Sequence, residues 1–135
     1  MDVVWVLDAY RLDIDDDELT QTMADVKVVM IFDGTDRVSG NGGCNNYTGR
    51  YVTDGLAIII KNILPTLILC EQPDGLMDQE DIFLEQLDRV SYYRIVANGQ
   101  GQELLEMYIT VMENGQIVDK VLLVFYDQQD GPPRR

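Results

Sequence analysis

The sequence predicts a mainly β fold, an antiparallel barrel or sandwich carrying one α-helix, and three observations predict it. Short runs rich in β-branched and aromatic residues recur at close spacing along the chain. Asp-Gly and Asn-Gly pairs, the dipeptides of tight hairpin turns, stand at 33–34, 54–55, 98–99 and 114–115. A single stretch, beginning at Asp78, switches to the helical period. Strands joined by two-residue turns pair antiparallel, because parallel neighbours need a long crossover between them.

Val3 to Leu7 (VVWVL) reads as the first strand and carries the only tryptophan, Trp5. Leu12 to Asp25, with the run DIDDDE, has only scattered apolar residues and reads as a long solvated loop. Val26 to Phe32 returns to strand composition and ends at Asp33-Gly34. Arg37 to Gly40 and Tyr47 to Val52 are strands flanking a loop dense in Gly and Asn, and Leu56 to Ile60 follows the turn at Asp54-Gly55. Asn62 to Cys70 (NILPTLILC) reads as a further strand that must be an edge, bulged or broken at Pro65, which has no N–H to give a ladder. The helix spans Asp78 to Arg89, with Asp78 as N-cap, acids in its first turn, and Ile82, Phe83, Leu87 and Val90 on one face. Tyr92 to Ala97, Leu104 to Met112 and Val118 to Tyr126 complete the strands. One domain over residues 1–127 is expected, with the polar, proline-rich tail 128–135 disordered.

Composition narrows function. The 135 residues hold 24 acidic against 10 basic side chains, a formal charge of −14, which repels phosphate backbones and anionic headgroups, so nucleic acid is excluded as a partner. No apolar run reaches the roughly twenty residues a spanning helix needs. Met1 and Asp2 lead straight into a strand without a basic n-region or cleavage site, so no signal peptide is expected here. Histidine is absent, which removes Ser-His and Cys-His nucleophilic pairs, the commonest general base and the commonest metal ligand. No catalytic residue, cofactor or metal site is therefore assigned. Asp13, Asp15 and Asp17 have the opening spacing of a calcium loop, yet Glu18 stands where glycine is required and Ala24 where a bidentate glutamate is required.

The segment Ser39 to Gly49 (SGNGGCNNYTG) is the most distinctive of the chain. Its glycines allow backbone angles that side chains forbid, and Asn41, Asn45 and Asn46 bond back to the chain, so it reads as a tight corner or as a ligand-contacting loop. A phosphate loop is excluded, since no helix opens behind the glycines. Six tyrosines (47, 51, 92, 93, 108 and 126) fit cross-strand packing or the lining of a barrel mouth. Cys44 and Cys70 are the only cysteines, and spacing alone does not separate a bridge from two buried thiols.

The run RVSGNGGCNNYTGRY (Arg37 to Tyr51), with Trp5-Val6-Leu7 before it, Thr66 to Cys70 after it, and Glu80, Phe83, Leu84 and Leu87 in the helix, resembles the META domain, also called the HslJ-like heat-shock family. Gly40, Gly42, Gly43, Cys44, Asn45, Tyr47, Gly49, Tyr51 and Thr66 carry the motif. The resemblance implies a small, lipocalin-like barrel that need not close completely, a disulfide between Cys44 and Cys70, and a place outside the cytoplasm, in a bacterial envelope or periplasm, where such proteins are often lipid-anchored. It implies no enzyme. The expected function is a non-catalytic domain acting in protein interaction or stress-linked maintenance. The rival expectation is a carrier of a small hydrophobic ligand or acyl chain in a barrel or groove.

Overall fold

Tight turns form at the Gly pairs and set the register of the hairpins. Asn114 and Gly115, for example, both have positive φ (50° and 77°), the backbone twist that joins antiparallel strands without splaying them. The structure, a computed structural model, describes residues 3–133. Among these the elements are β1 (Trp5–Tyr10), β2 (Thr20–Gln21), β3 (Val29–Phe32), β4 (Arg37–Asn41), β5 (Asn46–Asp54), β6 (Ala57–Pro65), α1 (Leu76–Arg89), β7 (Tyr92–Ala97), β8 (Glu103–Glu113) and β9 (Gln116–Asp127).

The strands form one antiparallel sheet in the order β2-β1-β3-β4-β5-β6-β7-β8-β9, and β9 pairs back onto β1. The ring is thus a mainly β, incompletely closed barrel, the architecture expected. Its weak seam lies between β6 and β7, which share the single register pair Ala57↔Tyr92. The overlap is short because both strands begin at that pair, and the residues before Tyr92 that would continue the ladder lead out of the end of α1. Further along, β6 is irregular in its own right. Asn62 enters the left-handed region (φ 58°) where the register against β5 shifts, and Pro65 cannot donate to a ladder. The connection from β6 to β7 contains α1, which packs against β6 and β9, and Lys61 Nζ donates to the Asp88 carbonyl (3.1 Å) beside the seam.

Alternation on the strands turns one face inward. Met30, Val38, Tyr47, Ile60, Met107 and Phe125 are fully buried, and α1 adds Phe83 and Leu87. The Phe83 ring meets Tyr47 and Phe125 edge-on, with centroids 5.7 and 6.2 Å apart, so one helix residue joins β5 to β9.

Several boundaries differ from expectation, each for a local reason. β1 starts at Trp5 and runs on to Tyr10, because a register shift between Leu7 and Ala9 lets the ladder with β9 continue past Asp8. β3 begins only at Val29. Asn62 to Cys70 is not a separate strand: β6 runs unbroken through the Asn62 irregularity and stops at Pro65, and 66–70 is irregular. The helix begins at Leu76, and its N-cap is Gly75 (φ 85°), not Asp78, which sits in the first turn as an acid near the helix's positive end. The acidic excursion is tethered rather than free. Gln86 Nε2 donates to Arg11 O (2.6 Å), Met23 N to Gln79 Oε1 (2.9 Å), and Lys120 Nζ to Ile14 O (2.8 Å). Within the tail, Gln128 N donates to Val4 O and Gln102 Nε2 to Asp130 O (both 2.9 Å), so 128–131 is hydrogen-bonded where disorder was expected. Residues 1, 2, 134 and 135 lie outside the described residues.

Candidate functional site

Three places hold the residues that the sequence singles out or leaves unexplained: the Gly42–Asn45 corner, the apolar segment after Pro65, and the open end of the barrel.

The corner joins β4 to β5 and is built around a carboxylate from the helix. Glu80 is 2 % exposed; its Oε2 accepts from Cys44 N and Asn45 N (both 2.7 Å), and its Oε1 accepts from Asn45 Nδ2 (2.7 Å). A Cβ on Gly42 would lie 2.7 Å from Glu80 Cγ, so glycine there makes room for the acid. Gly43 has φ +118°, and a Cβ would also meet Leu76 Cδ1 at 2.9 Å. Asn45 is saturated. Its second Nδ2 hydrogen goes to Ile68 O (3.1 Å), and its Oδ1 accepts from Ile68 N (2.7 Å) and Thr66 Oγ1 (2.8 Å). Cys44 and Cys70 are bridged (Cα–Cα 6.0 Å). Gly42, Gly43, Cys44, Asn45, Thr66 and Cys70 therefore converge with Glu80 on one latch that ties β5, the 66–70 segment and α1 together.

The other motif residues stand apart from the latch. Tyr47 is buried and its hydroxyl donates to Val29 O (2.9 Å), and burial pushes its phenol pKa far up. A Cβ on Gly40 would lie 2.7 Å from that hydroxyl and 2.8 Å from the Val29 carbonyl carbon, so Gly40 is where β3, β4 and the Tyr47 phenol approach most closely. Gly49 sits where the β5–β6 register shifts, with Lys61 O 3.3 Å from its hypothetical Cβ. Tyr51 lies at the far end of β5. The corner's polar groups are spent on one another.

Past the latch, the chain exposes apolar side chains. Leu67 is 93 % exposed, Leu69 75 %, Leu64 70 % and Ile68 60 %. Between this segment and Met77 and Leu84 of α1 lies a groove of about 190 Å³, whose charged lining comes from Glu80 and Asp81 alone. Glu71, Asp74 and Asp78 follow in the adjoining chain.

At the end of the barrel where β1 begins and β3 and β5 end, Trp5, Phe32, Tyr51 and Tyr93 surround an open cavity of about 280 Å³. Phe32 and Tyr51 contact edge-on at 4.8 Å. The buried Ile58, Leu105 and Met107 form the floor, and Thr53 and Ile95 stand at the rim. No charged side chain lines the cavity. Of the remaining tyrosines, Tyr92 and Tyr108 stack on each other (5.0 Å, 3°) with the Arg94 guanidinium 5.4 Å from the Tyr108 ring, and partial burial followed by the adjacent Glu106 carboxylate pushes the Tyr108 phenol up to about 12.

The turn beside the mouth is held by Asp33, whose Oδ1 accepts from Thr35 N (2.8 Å), Arg37 N (3.0 Å) and Asp36 N (3.1 Å). The Arg37 amide, then that of Thr35, holds the carboxyl at about 2, below its ordinary value. A depressed folded-state pKa means that the turn's stabilisation is present above the ordinary carboxylate pKa and is lost as pH falls through about 2. We expect the Asp33 carboxyl resonance to titrate with a midpoint near pH 2; a midpoint near the ordinary value of about 4 would contradict the bonding of this turn.

In the sequence Glu80 stands out only as part of the family resemblance, not as the acceptor of the corner, though an acid three residues before Phe83 on the apolar face of a helix is a readable signal. The exposed strip is hidden by the strand-like composition of NILPTLILC; the lack of alternation in Leu67-Ile68-Leu69 is the one clue to it. The acidic residues Asp13 and Asp16 bond within their own turn, Asp13 Oδ1 accepting from Asp15 N (2.9 Å) and Asp16 Oδ2 from Asp13 N (3.2 Å).

Comparison with known proteins agrees with this geometry. The family pattern of the META domain matches residues 4–117, which includes the whole latch. The chain is similar to a solved structure described as the NMR structure of the protein from Burkholderia xenovorans, at 18% sequence identity and a TM-score of 0.63, over 93% of this chain and 81% of that one; at that identity the likeness concerns the fold. No curated protein matches. With the family pattern covering most of the chain, and Gly42, Gly43, Cys44, Asn45 and Thr66 of its motif meeting in one latch, the chain belongs to the META domain family.

Proposed function

We propose that this META domain acts by binding, without catalysis, and that its main partner is a protein whose apolar segment is flanked by basic residues. The observation that carries this reading is the strip Leu64, Leu67, Ile68 and Leu69, exposed to water yet fixed by Asn45 and the Cys44–Cys70 bridge. Leaving such side chains in water forgoes roughly 1.5–3 kcal/mol each, and contiguous apolar exposure marks interaction surfaces. Holding the strip rigid lowers the ordering cost of docking. A second copy of the chain is disfavoured as occupant by a charge of −14 on each molecule, whereas a basic partner is attracted. The bridge supports an oxidising, extracytoplasmic setting for such a role, the envelope being the compartment we propose.

A leucine-rich probe peptide with lysines at both ends is expected to bind at low salt. Leu67→Glu/Leu69→Glu should weaken it at least about tenfold, as should replacing the peptide's lysines with glutamates. Equal binding by the variant, or by the glutamate peptide, would overturn the reading; concentration-dependent dimerisation abolished by the same substitutions would assign the strip to self-association instead. A second reading, carriage of a small apolar ligand, is favoured by the uncharged aromatic mouth.

A further inference from the structure

We infer that the barrel mouth takes a cationic amphiphile, a short alkyl chain bearing a quaternary or protonated ammonium head, and discriminates against fatty-acid anions of the same length. The inference rests on the carrier reading and adds the charge class of the ligand. The interior is apolar: Ile58, Leu105 and Met107 floor the cavity and no ionised side chain lines it, so only an uncharged chain can enter it without losing hydration. At about 280 Å³ it lies near the lower end of small-molecule pockets, roughly 300 Å³, which suits a short chain rather than a long one.

The head is selected at the rim. Trp5, Phe32, Tyr51 and Tyr93 surround the opening, and aromatic faces attract cations and repel anions. Two acids lie beside these residues: Asp33 follows Phe32 in the turn, and Asp127 is the register partner of Trp5 on β9. The nearby bases do not face the cavity. Arg94 lies over the Tyr108 ring, Arg50 is paired with Asp36 (2.6 Å), and Arg37, the register partner of Arg50, shares with it the face of the sheet opposite to the cavity-lining Tyr51. A carboxylate head would thus meet aromatic rings with no cation among the cavity's lining residues to answer it, in a protein of charge −14.

The test titrates the full chain with decyltrimethylammonium and with decanoate, below micelle-forming concentrations, following the fluorescence of Trp5, the only tryptophan. The expected result is saturable binding of one cationic ligand per chain, at least about tenfold tighter than decanoate. Thr53→Arg, at an exposed rim position, should cut that preference at least about tenfold while leaving the melting midpoint in place; should it fail to fold, Ile95→Arg puts a cation at the same rim. Equal or tighter decanoate binding overturns the charge assignment and leaves carriage standing. Cation binding that does not saturate, or is untouched by the rim arginine, is surface adsorption and overturns the inference. A Trp5 signal silent to both ligands overturns carriage itself.

Discussion

Glu80→Ala is expected to destabilise the domain by about 4 kcal/mol, read from urea midpoints at constant m. The carboxylate is the sole acceptor recorded for the Cys44 and Asn45 amides and one of two for Asn45 Nδ2. Removing it leaves buried donors unpaired and opens a void against Gly42, two of the costlier changes a substitution can make. Glu80→Gln keeps the shape but sets an NH2 group where an acceptor is needed, so it should cost about half as much. Against a total stability of roughly 5–15 kcal/mol, the alanine variant is expected to be marginal near 37 °C. A loss below about 1 kcal/mol would mean that the latch does not hold the corner.

Cys44→Ser/Cys70→Ser is the second large effect. A bridge spanning 26 residues is worth roughly 3–4 kcal/mol on the chain-entropy account. The consequence should be partly local. Asn45 still holds Ile68 through its backbone N–H and carbonyl, so the ring should fold while the 66–70 segment loosens. Hydrogen exchange is expected to speed at the Ile68 amide well beyond the change at Met107 in the barrel floor. Uniform acceleration across both would contradict a separate latch. Thiol reduction of the unaltered chain should reproduce the local change.

The same sequence made some of this legible and hid the rest. Asp-Gly and Asn-Gly turns act locally, so the hairpins at 54–55 and 114–115 form where those pairs stand. The helix was readable from Phe83 and Leu87, whose spacing follows its period, but its start was not. Gly75 caps through backbone conformation, with no side-chain signature, while Asp78 is a good cap residue in the wrong place. The motif was readable as a corner because glycine and asparagine speak to backbone geometry. What the corner wraps around was not, since Glu80 lies 36 residues beyond Cys44 and only the fold brings them together. Gln79 and Gln86 are hidden in the same way: polar residues on the buried face of α1 make sense only once the excursion at Arg11 and Met23 docks on them. The exposed strip defeated pattern reading for the opposite reason, because apolar residues count towards a core unless something shows them facing water.

The latch, the strip and the mouth stand at different places on one ring, and each draws on a different property of the chain. Buried hydrogen bonds fix the first, tethered exposure defines the second, and aromatic rims on an acidic protein define the third. The claim that joins them is that the family motif is structural and serves to present the 64–69 strip for binding.

That claim is tested most directly by titrating the lysine-flanked peptide into isotope-labelled protein and mapping amide shifts before and after disulfide reduction. The account predicts shifts at Leu64, Leu67 to Leu69, Met77 and Leu84, with affinity falling at least about tenfold once the bridge is reduced and the barrel floor unchanged. Shifts centred on Gly42 and Gly43 through direct peptide contact, or an affinity indifferent to reduction, would contradict it.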